Sequence, residues 1–176
     1  MSHTPKLLTL AAALVAAFSW GTAALAQQAT VAAQASSKGS FAMVAHLAVD
    51  GVAEIVAATP NGQTLFYTSA DAGVLGVVDI TNPSRPLLLP RVDVRINGVG
   101  EPTSVAISPD GRYAVVALRM DDDVHHARRG FVRVFDISNP RNAKPVKDIT
   151  VGIGPDSLAL HGSGKTLRAV VAIEDE

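Results

Sequence analysis

The chain has 176 residues, no cysteine and a formal charge of −1. Without cysteine there is no disulfide framework and no thiolate metal site, and the balanced charge excludes the basic footprint that nucleic acid or an anionic membrane requires. Hydrophobic residues make up 48% of the chain, enough at this length for one ordinary core held by burial alone.

Residues 1–26 read as a signal peptide, to be set apart from the fold. Lys6 supplies the positive start, Leu7 to Phe18 is an apolar run interrupted only by Thr9, and Ala24-Leu25-Ala26 is the small-x-small pattern that precedes cleavage before Gln27. The apolar run is shorter than the roughly 20 residues of a spanning helix, so an uncleaved anchor is the weaker reading. The segment carries one charge, Lys6, and the only tryptophan, Trp20. The chain is therefore expected to be exported, either to a periplasm or out of the cell. Residues 27–40 are rich in Ala, Ser and Gln without a period and read as a flexible leader.

From residue 41 the pattern is one of repeats. Phe41–Val49 (FAMVAHLAV) is a single apolar segment. Three stretches then align: GVAEIVAATPNGQTLFYTSA from Gly51, GEPTSVAISPDGRYAVVALR from Gly100 and GIGPDSLALHGSGKTLRAVVAI from Gly152. Their common turns, Pro60-Asn61-Gly62, Pro109-Asp110-Gly111 and Gly162-Ser163-Gly164, recur about every 50 residues, slightly longer than the roughly 40–45 of a short propeller blade. A second block alternates with the first: GVLGVVDITNPSRP from Gly73 and GFVRVFDISNPRNAKP from Gly130.

Each repeat reads as four strands. In the second copy these are Thr103–Ser108, Tyr113–Leu118 after a Pro-Asp-Gly hairpin turn, Phe131–Asp136, and Val146–Val151 after an Asn139-Pro140 turn. The second strand is apolar on both faces, from Ala114 to Leu118, as a strand between two neighbouring sheets must be. The fourth mixes in Lys147, Asp148 and Thr150, as at an outer rim. This inside-to-outside polarity gradient fits a propeller blade; a sandwich would alternate cleanly in every strand, and no 3.6-residue period is present.

These residues resemble known repeats. GVLGVVDITNPSRP and GFVRVFDISNP resemble the LVIVD repeat, and SVAISPDGRYAVVA resembles the YVTN-type propeller repeat. Together, over roughly residues 41–176, they are similar to the N-terminal part of large secreted propeller proteins of the choice-of-anchor type. Departures are the Gly-Ser-Gly turn of the third copy, the long insertion in the second, and the lack of tryptophan from residue 41 onward, which sets the repeats apart from true WD repeats. The implied fold is all-β, a partial β-propeller of about two and a half four-stranded antiparallel blades. The first blade covers about 51–94, the second about 100–151 and an incomplete third about 152–176, with 41–49 as a ring-closing strand. Because such rings close with about four or more blades, a longer product is expected, and assembly of several copies through open blade edges is the other expectation.

In a meander, the loops between second and third strands and the blade-to-blade connections share one face. That face collects Asp71, Glu101, Asp156 and Glu174 as candidate ligand-face residues. The second-copy insertion adds Asp121, Asp122, Asp123, His125 and His126 as candidate metal ligands: carboxylates suit Ca²⁺ and a His pair a transition metal. Against a metal stand the adjacent His pair, which lacks the i, i+2 or i, i+4 spacing that aims two ligands at one ion, and Arg128 and Arg129, which can pair with the aspartates. No cofactor is expected, a divalent cation being the alternative. Asp79 and Asp136 read as caps of the following turns and not as catalytic acids. Gly162-Ser163-Gly164-Lys165 lacks the spacing of a phosphate loop, and His46 and His161 stand alone, so no Ser-His-acid set can be argued.

Two functions remain. The preferred one is a non-enzymatic exported scaffold binding a protein, glycan or small-molecule ligand. The alternative is the N-terminal part of a metal-dependent propeller hydrolase of the phytase, phosphatase or lactonase kind.

Overall fold

A computed structural model describes residues 41–121, 127–162 and 164–175, with the backbone alone at Asp121, Ala127 and Asp175. The candidate residues Asp122, Asp123, His125 and His126 lie outside the described residues, as does the signal segment.

Among the described residues nine strands follow in order: β1 (Val56–Ala58), β2 (Thr64–Ser69), β3 (Val74–Asp79), β4 (Leu87–Asp93), β5 (Glu101–Ile107), β6 (Tyr113–Asp121), β7 (Ala127–Asp136), β8 (Lys144–His161) and β9 (Arg168–Asp175). They form two antiparallel sheets in sequence order, β1-β2-β3-β4 and β5-β6-β7-β8-β9. The fold is all-β, a partial propeller. β1–β4 make blade 1. β5, β6, β7 and the first half of β8 make blade 2, and the second half of β8 with β9 makes the described part of blade 3.

The hairpins form where the repeated turn chemistry sits. In blade 1, Thr59 Oγ1 donates to Asn61 Oδ1 at 2.7 Å and accepts from Thr64 N at 3.0 Å, while Gln63 N donates to Asn61 Oδ1. In blade 2, Ser108 Oγ donates to Asp110 Oδ1 and accepts from Tyr113 N at 2.9 Å, while Arg112 N donates to Asp110 Oδ1. The glycine after each acceptor, Gly62 at φ 68° and Gly111 at φ 70°, adopts a left-handed backbone that a Cβ disfavours. At the ends of β3 and β7, Thr81 N donates to Asp79 Oδ1 at 3.0 Å and Ser138 N to Asp136 Oδ1 at 2.9 Å, so both aspartates cap turns.

The packing of the blades follows from the register. On blade 1, Ala57, Phe66 and Val77 share one face and Val56, Leu65, Tyr67 and Val78 the other. The first face meets Val105, Ala114, Val116, Leu118 and Phe135 of blade 2 in one core, where Phe66, Leu75, Val116, Leu118 and Phe135 are fully buried. Burying each such side chain contributes about 1.5–3 kcal/mol. The other face of blade 2 holds Ser104, Val115, Ala117 and Val132, all buried, and turns toward blade 3. There Thr103 Oγ1 donates to Pro155 O at 2.6 Å and Leu158 N to Ser104 Oγ at 3.3 Å. β6 is thus apolar on both faces because both are covered, whereas Lys144 to Thr150 of β8 are exposed.

Arg133 ties blade 2 to the end of blade 1. Its Nη1 donates to the carbonyls of Val94 at 3.1 Å and Arg95 at 2.6 Å, and its guanidinium lies 5.8 Å from the Phe135 ring centre.

Three differences from the sequence expectation have physical reasons. The fourth strand of blade 2 and the first of blade 3 are one strand: β8 runs for 18 residues, pairing with β7 up to Ile153 and with β9 from there onward. No loop separates the halves: the ladder runs on through Gly152-Ile153-Gly154, where the left-handed Gly154, at φ 63°, takes a conformation that glycine permits. The insertion of the second copy lengthens the β6–β7 hairpin, whose ladder continues to Asp121 opposite Ala127. Finally, residues 41–49, read as a strand, join no ladder among the described residues. The half-buried Ala45, Leu47 and Val49 alternate with exposed neighbours and line an apolar groove on the outer face of blade 1.

Candidate functional site

The turn after β2, the connection from β4 to β5, the end of β6 and the middle of β8 lie at one end of the blades. Two adjoining hollows open there. One, of about 270 Å³, is lined by Asp71, Arg95, Val99, Glu101 and Arg119 among others. The second, of about 290 Å³, is lined by Glu54, Ile55, Glu101, Thr103, Arg119 and Asp156. Ala70, Glu101 and Arg119 belong to both.

The side chains arrive there for local reasons. The β2–β3 turn closes through Gly73 N donating to Ala70 O at 2.9 Å, which presents exposed Asp71. At the end of β4, Asp93 accepts from the backbone amide, Nε and Nη2 of Arg95, with Nη2 to Oδ2 at 2.7 Å. These bonds hold the Asp93 carboxyl below its usual range and raise Arg95, fixing the guanidinium on the rim. Glu101 pairs across the β5–β6 ladder with Arg119, Oε2 to Nη2 at 2.9 Å, on partly exposed side chains. Thr103 spends its hydroxyl on Pro155, anchoring the strand that carries Asp156 beside β5.

Of the sequence-derived ligand-face residues, Asp71 and Glu101 share the first hollow and Glu101 and Asp156 the second. Glu174 lines neither. The pairs Pro102–Leu118 and Pro155–Ile173 place it on β9 at the position Arg119 holds on β6, exposed on the blade 3 rim. Asp121 ends β6, beyond Arg119, and only its backbone is described. Among the described residues, no group of three His, Asp or Glu side chains is gathered as for a metal ion. His46 and His161 line neither hollow.

Sequence reasoning missed Glu54, Arg95, Thr103 and Arg119. A signal for three of the inner residues was present. Counted back from the common turn, Glu54, Thr103 and Asp156 occupy the same place in the three repeats, at the entry to the innermost strand of each blade. The hollows hold the carboxylates of Glu54, Asp71, Glu101 and Asp156 against the guanidinium groups of Arg95 and Arg119. Chemically this is an open, polar, mildly acidic surface suited to accepting hydrogen bonds from hydroxyl and ammonium groups and to pairing with a carboxylate through its arginines.

Comparison with known proteins bears on the fold and the family. Residues 54–176 match the family model described as Choice-of-anchor I domain. No curated protein matches the chain. Among solved structures, a putative 6-phosphogluconolactonase from Bacteroides uniformis ATCC 8492 is similar at 16% identity and a TM-score of 0.57, over 70% of this chain and 34% of that one. The Kuenenia stuttgartiensis hydrazine synthase is similar at 24% identity and a TM-score of 0.50, over 69% of this chain and 30% of that one. The chain thus spans about a third of the length of these two proteins, and the likeness at such identities is one of fold.

Proposed function

Because the chain belongs to the choice-of-anchor I domain family, we propose that it is an exported β-propeller module that acts as a binding scaffold. Its ligand, a protein, glycan or small molecule, sits on the face formed by the two adjoining hollows. The observation that carries this reading is the convergence of side chains from three successive blades, Glu54 and Asp71, Glu101 and Arg119, and Asp156, on that one end. Ligand sites in repeat folds sit where loops from several repeats meet, since the scaffold fixes the loops and leaves their chemistry free to vary. Export follows from the signal read in residues 1–26. Among the described residues no helix is long and apolar enough to cross a membrane. Periplasmic and extracellular destinations both fit.

The test is retention on an array of immobilised glycans and on envelope proteins. The chain is compared with the triple variant Glu54→Gln, Glu101→Gln, Asp156→Asn at matched melting temperature. A ligand held by the parent and released by the triple variant is expected. Equal retention would move the binding surface elsewhere. Turnover of a lactone or phosphate ester that the triple variant loses would replace the scaffold reading with a hydrolytic one.

A further inference from the structure

The chain has five asparagines, Asn61, Asn82, Asn97, Asn139 and Asn142, and each lies among the described residues. An asparagine loses its amide when the nitrogen of the next residue reaches the side-chain carbon, so that next residue decides whether the reaction can start. Asn82 and Asn139 precede Pro83 and Pro140, whose nitrogens carry no proton to give up. Asn142 precedes the buried Ala143, whose methyl group crowds the attack. Asn61 and Asn97 precede glycine, which leaves the nitrogen open to approach.

The fold separates these two. Both asparagines are exposed, and neither Gly62 nor Gly98 has an atom within 4 Å of where a Cβ would stand. Hydrogen bonding makes the difference. Asn61 Oδ1 accepts from Thr59 Oγ1 at 2.7 Å and from Gln63 N at 3.1 Å, and its Nδ2 donates to Gln63 Oε1 at 3.4 Å. The Gly62 nitrogen donates to Thr59 O at 2.8 Å. Side-chain amide and attacking nitrogen are thus both held. Asn97 and Gly98 instead form the tip of a two-residue hairpin turn, with Ile96 and Val99 exchanging backbone hydrogen bonds at 2.8 and 3.1 Å. Their φ angles, 54° and 80°, are the left-handed pair such a turn requires. Among the described residues neither the Asn97 side chain nor the Gly98 N–H has a hydrogen-bond partner.

We propose that Asn97 is a site of spontaneous covalent modification and that the turn around Asn61 protects that residue from the same reaction. The Gly98 nitrogen bonds to Asn97 Cγ, the Cγ–Nδ2 bond breaks, and the proton of the Gly98 amide leaves with the side-chain nitrogen as ammonia. A five-membered succinimide remains. Water then opens the ring. Breaking the bond from the Gly98 nitrogen to Cγ leaves an aspartate, and breaking its bond to the main-chain carbonyl carbon leaves an isoaspartate. Nothing is oxidised or reduced. Either product puts a new carboxylate on the wall of the first hollow, where Gly98, Val99 and Gly100 sit with Arg95, Glu101 and Arg119. Isoaspartate also routes the backbone through the side chain, which lengthens the turn and disturbs the pairing of Ile96 with Val99. The rim gains negative charge as the protein ages, whatever ligand the hollows take.

Peptide mapping by mass spectrometry, on the full chain aged in mildly alkaline buffer, tests the proposal. The peptide spanning Asn97 is expected to gain the mass of an amide-to-acid exchange, located by fragmentation, and to split into aspartyl and isoaspartyl products. Its rate should exceed that at Asn61 severalfold and rise with pH, because the deprotonated nitrogen is the attacking species. In urea, where no turn survives, the two Asn-Gly sites should react at similar rates. Thr59→Ala should speed the reaction at Asn61 and leave Asn97 unchanged, and Gly98→Ala should slow Asn97 alone. Equal rates at the two sites in the folded chain overturn the proposal. So does a rate difference that urea leaves intact, since it would belong to the neighbouring residues and not to the fold.

Discussion

Replacing Arg133 by methionine isolates the bond between blade 2 and the end of blade 1. Methionine keeps most of the aliphatic stem, so the loss is that of the guanidinium. The side chain is 15% exposed and donates to two backbone carbonyls, and Nε lies 3.1 Å from Asp148 Oδ1 without being aligned to donate. Val94 is fully buried, and removing the donor leaves its carbonyl without that partner, at about 1–3 kcal/mol. The Arg95 carbonyl belongs to an exposed residue that water reaches, so its loss is smaller. Asp148 is 37% exposed, and its ion pair is screened to roughly 0.5 kcal/mol or less. The sum is about 3 kcal/mol, or roughly 10 °C in melting temperature for a domain of this size. Urea unfolding and calorimetry measure both. Arg141→Met is the control, since that pair with Asp79 spans 3.9 Å and is largely exposed, and it should fall within about 0.5 kcal/mol of the parent. An Arg133→Met variant melting within a degree or two of the parent would refute the idea that this arginine holds the blades together.

The turn aspartates contribute to the acid response, beside Asp93 and Asp110, which are also held below the usual carboxylate range. Asp79 is held below the usual carboxylate range first by the Thr81 amide, and Asp136 first by the Ser138 amide. A carboxyl with a depressed folded pKa adds stability that is complete above its unfolded pKa of about 3.9 and is lost as pH falls through the folded value. Melting temperature should thus be insensitive to these groups from pH 7 to 5 and fall below about pH 4, and Asp79→Asn with Asp136→Asn should flatten that fall. An unchanged acid limb in the double variant would show that other groups govern it. Gly76→Ala should destabilise by about 1–3 kcal/mol through overpacking, because Gly76 lies opposite Tyr67 and a Cβ there would fall within the Tyr67 ring. An unaltered urea midpoint would mean that the ring moves aside freely.

What the sequence disclosed was what is local. Thr59-Pro60-Asn61-Gly62 and Ser108-Pro109-Asp110-Gly111 announce their hairpins because each hydrogen bond that closes them lies within a few residues. The two-faced apolarity of Ala114–Leu118 announces a sheet covered on both sides. Asp71, Glu101 and Asp156 could be placed on one end because strand direction alternates. The partners that shape the site were not legible. Arg119 reaches Glu101 across a ladder, and Thr103 reaches Pro155 from 52 residues away. The first depends on the ladder register within blade 2 and the second on the spacing between blades, which no period in the chain encodes. Nor could the pattern show that β8 continues through Gly152 and Gly154, since glycine pairs more often mark a break than a bend.

That continuity has a mechanical consequence. In most meanders a sheet can loosen at one edge while the next stays intact, because a loop absorbs the motion. Here the backbone that forms the rim of blade 2 passes without slack into the innermost strand of blade 3. A pull on either half is transmitted along the extended chain to the other, and the ladders to β7 and β9 share the load. The backbone joins blade 1 to blade 2 through the short stretch from Val94 to Gly100, with no such shared strand. The second and third blades are thereby yoked through one strand, whereas blades 1 and 2 meet through a shared core and the Arg133 bonds to backbone carbonyls, with no strand in common.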